Sequence, residues 1–322
     1  VSFFTGKRVL VTGGTGFVGR HVVAALLAQG AVVRVPVHRR PAPPGWQGTV
    51  DLAPADLTRE EDCERVCRGI ECLVHAAGAV GAAGTVAGDT AVAGIATNLV
   101  LTARLLQAAA QCRVDRFLLF SSSTGYPDTE HAVEEHEFWA GPPHPAYFGY
   151  GWMRRYLERL AEFTCQRSPL RIAVARPTAI YGEGDNIDPA TSHVIPALIR
   201  RAVAKEDPFV VWGSPGMRRD FLHVRDLAAG CLLLLEKHAV CDPVNIGYGE
   251  AVTLDTVVNL VLQAAGHSPR VAYDPTKPST IAVRQVDISK ARRLLGFEPR
   301  IALAPGLAET VAWYTRSGGV TC

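Results

Sequence analysis

The stretch Arg8-Val9-Leu10-Val11-Thr12-Gly13-Gly14-Thr15-Gly16-Phe17-Val18-Gly19-Arg20 leaves the chain few folds to choose from. Val9 to Val11 is a short apolar run that reads as a buried parallel strand, and from His21 to Gln29 the apolar spacing turns helical until Gly30 closes it. Between them Gly13, Gly16 and Gly19 stand at GxxGxxG spacing. The first glycine permits the tight strand-to-helix turn, the second lets a pyrophosphate approach the backbone, and the third lets helix and strand pack closely. Free N–H groups and the helix dipole at that N-terminus favour a phosphate. A glycine triplet alone is often only a turn. With a strand before it and a helix after it, the motif predicts a dinucleotide site contacted by Gly13, Gly16, Phe17, Val18 and Gly19.

The next residues bear on which dinucleotide. Val32–Val37 reads as the second strand, and an acidic residue at its end would bond the ribose hydroxyls of NAD. The chain carries His38-Arg39-Arg40 there instead. Guanidinium groups at that point would clamp a 2′-phosphate, so NADP(H) is favoured and NAD stays possible; the same residues would also make a solvated basic turn. A third strand from Val50 leads to Asp56 and Leu57 at the adenine, a helix spans Thr58–Gly69, and Cys72–His75 brings the backbone of Ala76 and Ala77 to the cofactor. A helix over 91–112, with Asn98 and Thr102 one turn apart, and a strand over 114–120 complete the alternation. Such regular exchange of strand and helix predicts an α/β fold with a doubly wound parallel Rossmann sheet.

Composition narrows the partners. The 322 residues carry a net charge of only +2 with basic and acidic residues interspersed, which predicts neither nucleic-acid nor membrane-surface binding. No apolar stretch reads as the ~20 residues that cross a bilayer, so a soluble, cytoplasmic protein is expected. The eight cysteines form no CxxC pair; Cys63, Cys67 and Cys72 cluster without the partners a metal site needs, and free thiols are expected.

Two stretches could do chemistry. Ser121-Ser122-Ser123-Thr124-Gly125-Tyr126 follows the 114–120 strand at its carboxyl end, where open α/β sheets place ligands. Tyr150 and Arg154 lie four apart at the start of a helix running to about Arg167. They share a face, where a cation could lower a phenol pKa from its ordinary value near 10 and fit it for acid–base work. The same spacing also fits an aromatic helix start packed into the core.

The runs Thr12–Gly19, His75–Gly78, Ser121–Pro127, Thr191–Arg201, Val210–Ala228 and the segment from Val244 together resemble the extended short-chain dehydrogenase/reductases of the nucleotide-sugar epimerase/dehydratase family, most of all the branch that forms GDP-L-fucose. The resemblance covers essentially the whole chain. It implies a smaller C-terminal α+β substrate lobe, with a cofactor domain of 1–178 plus about 221–250 and a substrate lobe of about 179–220 plus 251–322. It implies that Ser122 bonds the reacting sugar oxygen, that Tyr150 moves the proton, that Arg154 stands where the family has lysine, and that His193 is a general acid. It implies that Ser123, Thr124, Arg201, Trp212 and Arg219 line the substrate site, with Arg284 as a further phosphate ligand beside the segment that holds Lys277. It also implies a nucleoside-diphosphate-sugar substrate and a homodimer built on the two long helices.

Three departures qualify the resemblance. Arg154 replaces a compact, deprotonatable lysine with a planar, permanent cation. Thr124 stands where the fucose-forming branch has a cysteine base, so epimerisation beside a keto group by that route is not expected. Ala179 replaces an asparagine. The expected activity is therefore an NAD(P)-dependent reductase of a 4-keto nucleotide sugar, against a 4-epimerase or a cofactor-binding protein with weakened catalysis.

Overall fold

The computed structural model describes residues 2–78, 91–276 and 281–317. From the N-terminus, strands β1 (Arg8–Thr12), β2 (Val32–Val37), β3 (Asp51–Pro54), β4 (Cys72–His75) and β5 (Arg116–Phe120) are interleaved with helices α1 (Phe17–Ala28), α2 (Glu60–Cys67) and α3 (Ala91–Gln111). Then come β6 (Ala132–Val133), α4 (Phe148–Arg167), β7 (Arg171–Pro177), β8 (Ala179–Tyr181), α5 (Val194–Val203), β9 (Phe209–Trp212) and β10 (Arg218–His223). The chain ends with α6 (Val224–Lys237), β11 (Val244–Ile246), β12 (Ala251–Thr253), α7 (Leu254–Ala264), β13 (Val271–Asp274), β14 (Val283–Val286), α8 (Ser289–Leu295) and α9 (Leu303–Arg316).

Seven strands form one sheet in the order β11-β7-β5-β4-β1-β2-β3, every neighbouring pair parallel. Side chains alternate across a strand, so a sheet buried on both faces needs apolar residues at consecutive positions. The sequence supplies them. Val9, Val11, Cys72, Val74, Leu118, Ala173 and Ala175 pack on one face with Val22 and Leu26 of α1 and Leu227 and Cys231 of α6. Leu10, Leu73, Phe117, Leu119, Ile172 and Val174 face the other way, onto Cys63 and Val66 of α2, Leu105 and Leu106 of α3, and Ala161 of α4. The order reverses direction between β1 and β4, and the glycine turn after β1 opens at that point.

The second half builds its own core. Tyr181, Ile195, Leu198, Phe209, Phe221, Val257, Val258 and Leu307 cluster away from the large sheet. β12-β10-β14-β6 form a second sheet, with β8 also paired to β10, and β9 and β13 form a parallel pair. β10, with Phe221 and Leu222, therefore belongs to the second sheet, and the chain rejoins the main sheet with α6, which starts at Val224.

One expectation is corrected by α3. Its 21 residues are long and apolar enough to cross a membrane by length and composition. Its buried side includes Asn98 and Thr102, and it packs against α2 and α4, with Arg104 and Gln107 bonding Glu60 of α2.

Candidate active site

The glycine turn is shaped as a phosphate cradle. Gly13 has φ +66°, and a Cβ there would lie 2.6 Å from the backbone of Ala76 and Ala77; one on Gly19 would meet the Gly13 carbonyl oxygen at 2.0 Å. No other residue lets the β1 turn, the end of β4 and α1 approach so closely. Gly16 caps α1 without a side-chain bond, and the first turn holds no acidic residue, so the helix N-terminus suits an anion. Arg20 stands in that first turn, donating to the carbonyls of Gly16 and Thr15 at 3.3 Å, with Gly184 packed on it. A cation at a helix N-terminus opposes the dipole, a cost that a bound phosphate would reverse. That charge on the first turn was the signal in the sequence, and sequence reasoning passed over it.

Beneath the cradle, Thr12 Oγ1 accepts the Ala77 N–H at 3.2 Å and shares a hydrogen bond with His75 Nδ1 at 2.8 Å. The other ring nitrogen, Nε2, shares a hydrogen bond with the Thr102 hydroxyl at 3.0 Å. Burial, with the Arg154 charge adding to it, pushes His75 down to about 3, so the ring stays neutral. At the end of β2, His38, Arg39 and Arg40 are all exposed. His38 lies 3.9 Å from Asp56, whose carboxylate is held below its ordinary range by the Thr58 hydroxyl and N–H, then by His38 and Arg39. Leu57 is buried behind it.

Ser122 begins a tight turn after β5, its Oγ accepting the Thr124 N–H at 3.2 Å, which leaves the hydroxyl hydrogen to donate. The first turn of α4 packs against that turn: a Cβ on Gly151 would be 2.8 Å from the Thr124 carbonyl oxygen. Tyr150 is thereby carried beside the Ser122–Thr124 segment. Arg154 donates to the Phe120 carbonyl at 2.8 Å, at the end of β5, and its charge acts on His75. Burial lowers the Arg154 guanidinium to about 10, with Tyr150 opposing. A second arginine fixes the helix. Arg176 on β7 makes a buried two-point bond to Glu158 of α4 at 2.9 and 2.7 Å and donates to the Tyr126 hydroxyl at 3.1 Å.

Across the same turn stands a pair of arginines. β10 and β14 run parallel with Arg219 opposite Arg284, so both side chains leave the same face of the second sheet. Arg219 donates to the carbonyls of Arg218 and Ala282 at 2.8 and 3.1 Å, and to that of Ile281. Arg284 is buried and donates to the Pro127 carbonyl at 3.0 Å, while its Nε and Nη1 have no hydrogen-bond partner among the described residues. Burial lowers both guanidiniums, Arg284 to about 10, and Tyr147 acts electrostatically on each in the opposite sense. Tyr147, just ahead of α4, had no signal in the sequence apart from being aromatic. Buried N–H groups of a cation that lack an acceptor are costly, and an anionic ligand would satisfy them.

The remaining expected residues fall as follows. Ser123 is buried and Thr124 half-buried in the turn beside Tyr150. His193 is exposed at the N-terminus of α5, and desolvation by the surrounding protein lowers its pKa. Arg201 bonds Glu206 at 2.5 Å and the Val210 carbonyl at 2.7 Å, with its guanidinium 4.7 Å over the Phe209 ring. Trp212 is exposed at the end of β9. Lys277 lies outside the described residues.

The family model described as "NAD dependent epimerase/dehydratase family" matches residues 9–247. Probable GDP-L-fucose synthase 1 of Oryza sativa subsp. japonica is 30% identical over 97% of this chain and 93% of its own length. The dTDP-4-dehydro-6-deoxy-D-allose reductase of Streptomyces bikiniensis is 30% identical over 97% of both. Among solved structures, MoeE5 in complex with UDP-glucuronic acid and NAD superposes with a TM-score of 0.84 at 28% identity, covering 96% of this chain and 99% of that one. UDP-glucose 4-epimerase of Thermotoga maritima with UDP-glucose superposes with a TM-score of 0.85 at 25% identity over the same shares.

Proposed function

This chain belongs to the NAD-dependent epimerase/dehydratase family and is an NAD(P)-dependent enzyme, and from that premise we propose that it reduces a 4-keto nucleoside-diphosphate sugar. The observation that carries the reading is Arg284: a buried guanidinium with two nitrogens unsatisfied among the described residues, paired with Arg219 and bonded to the segment that carries Ser122. A diphosphate held by that pair would put the attached sugar within reach of the Ser122 turn and Tyr150. When bound, the nicotinamide supplies the hydride for the sugar carbon. Tyr150 gives its proton to the carbonyl oxygen, Ser122 donates a hydrogen bond to the same atom, and Arg154 supplies the adjacent positive field. His193 is the second acid. Ser123, Thr124 and Arg201 line the sugar pocket, with the Arg201 guanidinium held by Glu206, and Trp212 covers its rim.

Gly13, Gly16, Phe17, Val18 and Gly19 would hold the dinucleotide, with Arg20 available to its pyrophosphate and Asp56 and Leu57 to the adenine. His38, Arg39 and Arg40 favour NADP(H) over NAD, because three exposed basic residues at the end of β2 can take a 2′-phosphate. The cofactor part, 1–178 plus about 221–250, and the substrate lobe, about 179–220 plus 251–322, meet at the Ser122 turn. Phe148, Trp152, Tyr156 and Phe163 form an exposed stripe along α4, beside exposed Val92 and Val100 of α3, which supports a homodimer formed through these two helices. The balanced charge and the buried polar side of α3 support a cytoplasmic protein that binds neither membrane nor nucleic acid.

Incubation with NADPH and a panel of 4-keto GDP-, UDP- and dTDP-sugars, followed at the reduced-nicotinamide band, tests the reading. Stoichiometric loss of absorbance is expected, with Tyr150→Phe slowing kcat by about 10²–10⁴. Turnover of a 4-hydroxy sugar without net absorbance change would select the second reading, a 4-epimerase, which the similarity to UDP-glucose 4-epimerase favours.

A further inference from the structure

Cys165, in the last turn of α4, and Cys241, just before β11, meet at the edge of the main sheet, at the opposite end of α4 from Tyr150 and Arg154. Ile172 of β7 holds them together. Its carbonyl accepts the Cys241 N–H at 2.6 Å, and its own N–H points at the Cys165 sulfur. In a strand these two groups of one residue project to the same edge, so the cysteines sit side by side along it. The Cys165 and Cys241 side chains are hydrogen-bonding neighbours, and the Cys165 S–H donates to the Leu170 carbonyl at 3.5 Å. The bond with Cys241 draws the Cys165 thiol down to about 7, against burial, while the Cys241 thiol is pushed up by that bond and by burial.

The other described cysteines lack this arrangement. Cys63, Cys67, Cys72 and Cys231 are buried, and desolvation pushes their thiols up, as it does for Cys112. Cys241 instead lines a cleft of about 330 Å³ with Arg159, Glu162, Asp242 and Lys290, and Cys165 is only half-buried, so a small polar reagent can reach both. A thiol that ionises near neutrality attacks disulfides fastest there, and a neighbouring second thiol resolves the adduct.

We propose that Cys165 and Cys241 form a reversible disulfide by exchange with a low-molecular-weight disulfide such as glutathione disulfide. The Cys165 thiolate attacks one sulfur of glutathione disulfide, its S–S bond breaks, and one glutathione leaves as a thiolate that takes a proton from water. Cys241, its proton released to water, then attacks the Cys165 sulfur of the mixed disulfide and expels the second glutathione. Two protein thiols are oxidised and one glutathione disulfide is reduced to two thiols. The new bond staples the C-terminal turn of α4 to the start of β11.

The test treats the full chain with glutathione disulfide and maps it by non-reducing peptide mass spectrometry, with circular dichroism confirming that it stays folded. Expected is a peptide pair joining Cys165 to Cys241, lighter by two hydrogens and released by dithiothreitol. Cys241→Ala should stop at a stable glutathione adduct on Cys165, and the pH at which Cys165 alkylates should move up as its hydrogen-bonding neighbour is lost. Absence of the joined pair in the folded wild-type protein overturns the proposal, whether no adduct forms or adducts accumulate on Cys165 alone or on other cysteines.

Discussion

Replacing Arg284 with methionine should make the protein more stable and its hold on a nucleotide sugar weaker. The guanidinium is 6% exposed and burial holds it at about 10 instead of 12.5, a penalty of about 3 kcal/mol. The penalty is present in full below pH 10 and vanishes only above the ordinary 12.5, so at neutral pH it acts undiminished. Against it stand the bonds from Arg284 to the Pro127 and Tyr126 carbonyls, 3.0 and 3.4 Å long and together worth about 2 kcal/mol. A methionine fills a similar volume without charge, so the net gain is about 1 kcal/mol, or about 1.5 °C in Tm for a chain of this length. Affinity moves the other way. Nε and Nη1 would each lose a charge-assisted bond to phosphate, together about 3 kcal/mol, which weakens Kd about 100-fold. Differential scanning calorimetry of the free protein and titration calorimetry with GDP, UDP and dTDP read the two effects separately. A variant that melts lower than wild type, or that binds its preferred nucleotide as tightly, would refute the reasoning that this cation is kept for an anion.

Two further outcomes follow from buried charge. Glu158→Gln leaves Arg176 buried without its counter-ion and should cost about 3–5 kcal/mol in urea unfolding; a loss below ~1 kcal/mol would mean the pair is not the clamp on α4 described above. Asp185 is 4% exposed, has one oxygen unpaired among the described residues, and is raised by burial from 3.8 to about 7. The folded state therefore favours the protonated form, and wild-type stability should fall by up to ~4 kcal/mol as pH rises from about 4 to 7, then level off. Asp185→Asn should remove that slope, and parallel pH profiles for the two proteins would show the carboxyl to be solvated.

What the sequence made legible was local. Gly13 and Gly19 announce their turn because the constraint spans only neighbouring residues, and the consecutive apolar residues of β1, β4 and β5 announce a sheet covered on both sides. The facing of Arg219 and Arg284 could not be read the same way, because it depends on the register of two strands far apart in the chain. Arg201 was legible only through its motif, and that Glu206, five residues on, holds its guanidinium shows only in the fold. Cys165 and Cys241 showed no spacing signal, since Ile172 of a third element brings them together.

The junction at His223 has a mechanical consequence. β10 ends at that residue and α6 begins at the next, the His223 ring accepting the Arg225 N–H at 3.3 Å and Asp226 accepting the N–H groups of Arg300 and Ile301 at 3.0 and 2.8 Å. No slack segment separates the strand that carries Arg219 from the helix seated on the nucleotide-binding sheet. A pull on Arg219 is thus delivered along a continuous rod to the far layer, and the molecule should respond to its sugar ligand as a lever rather than as a pair of jaws.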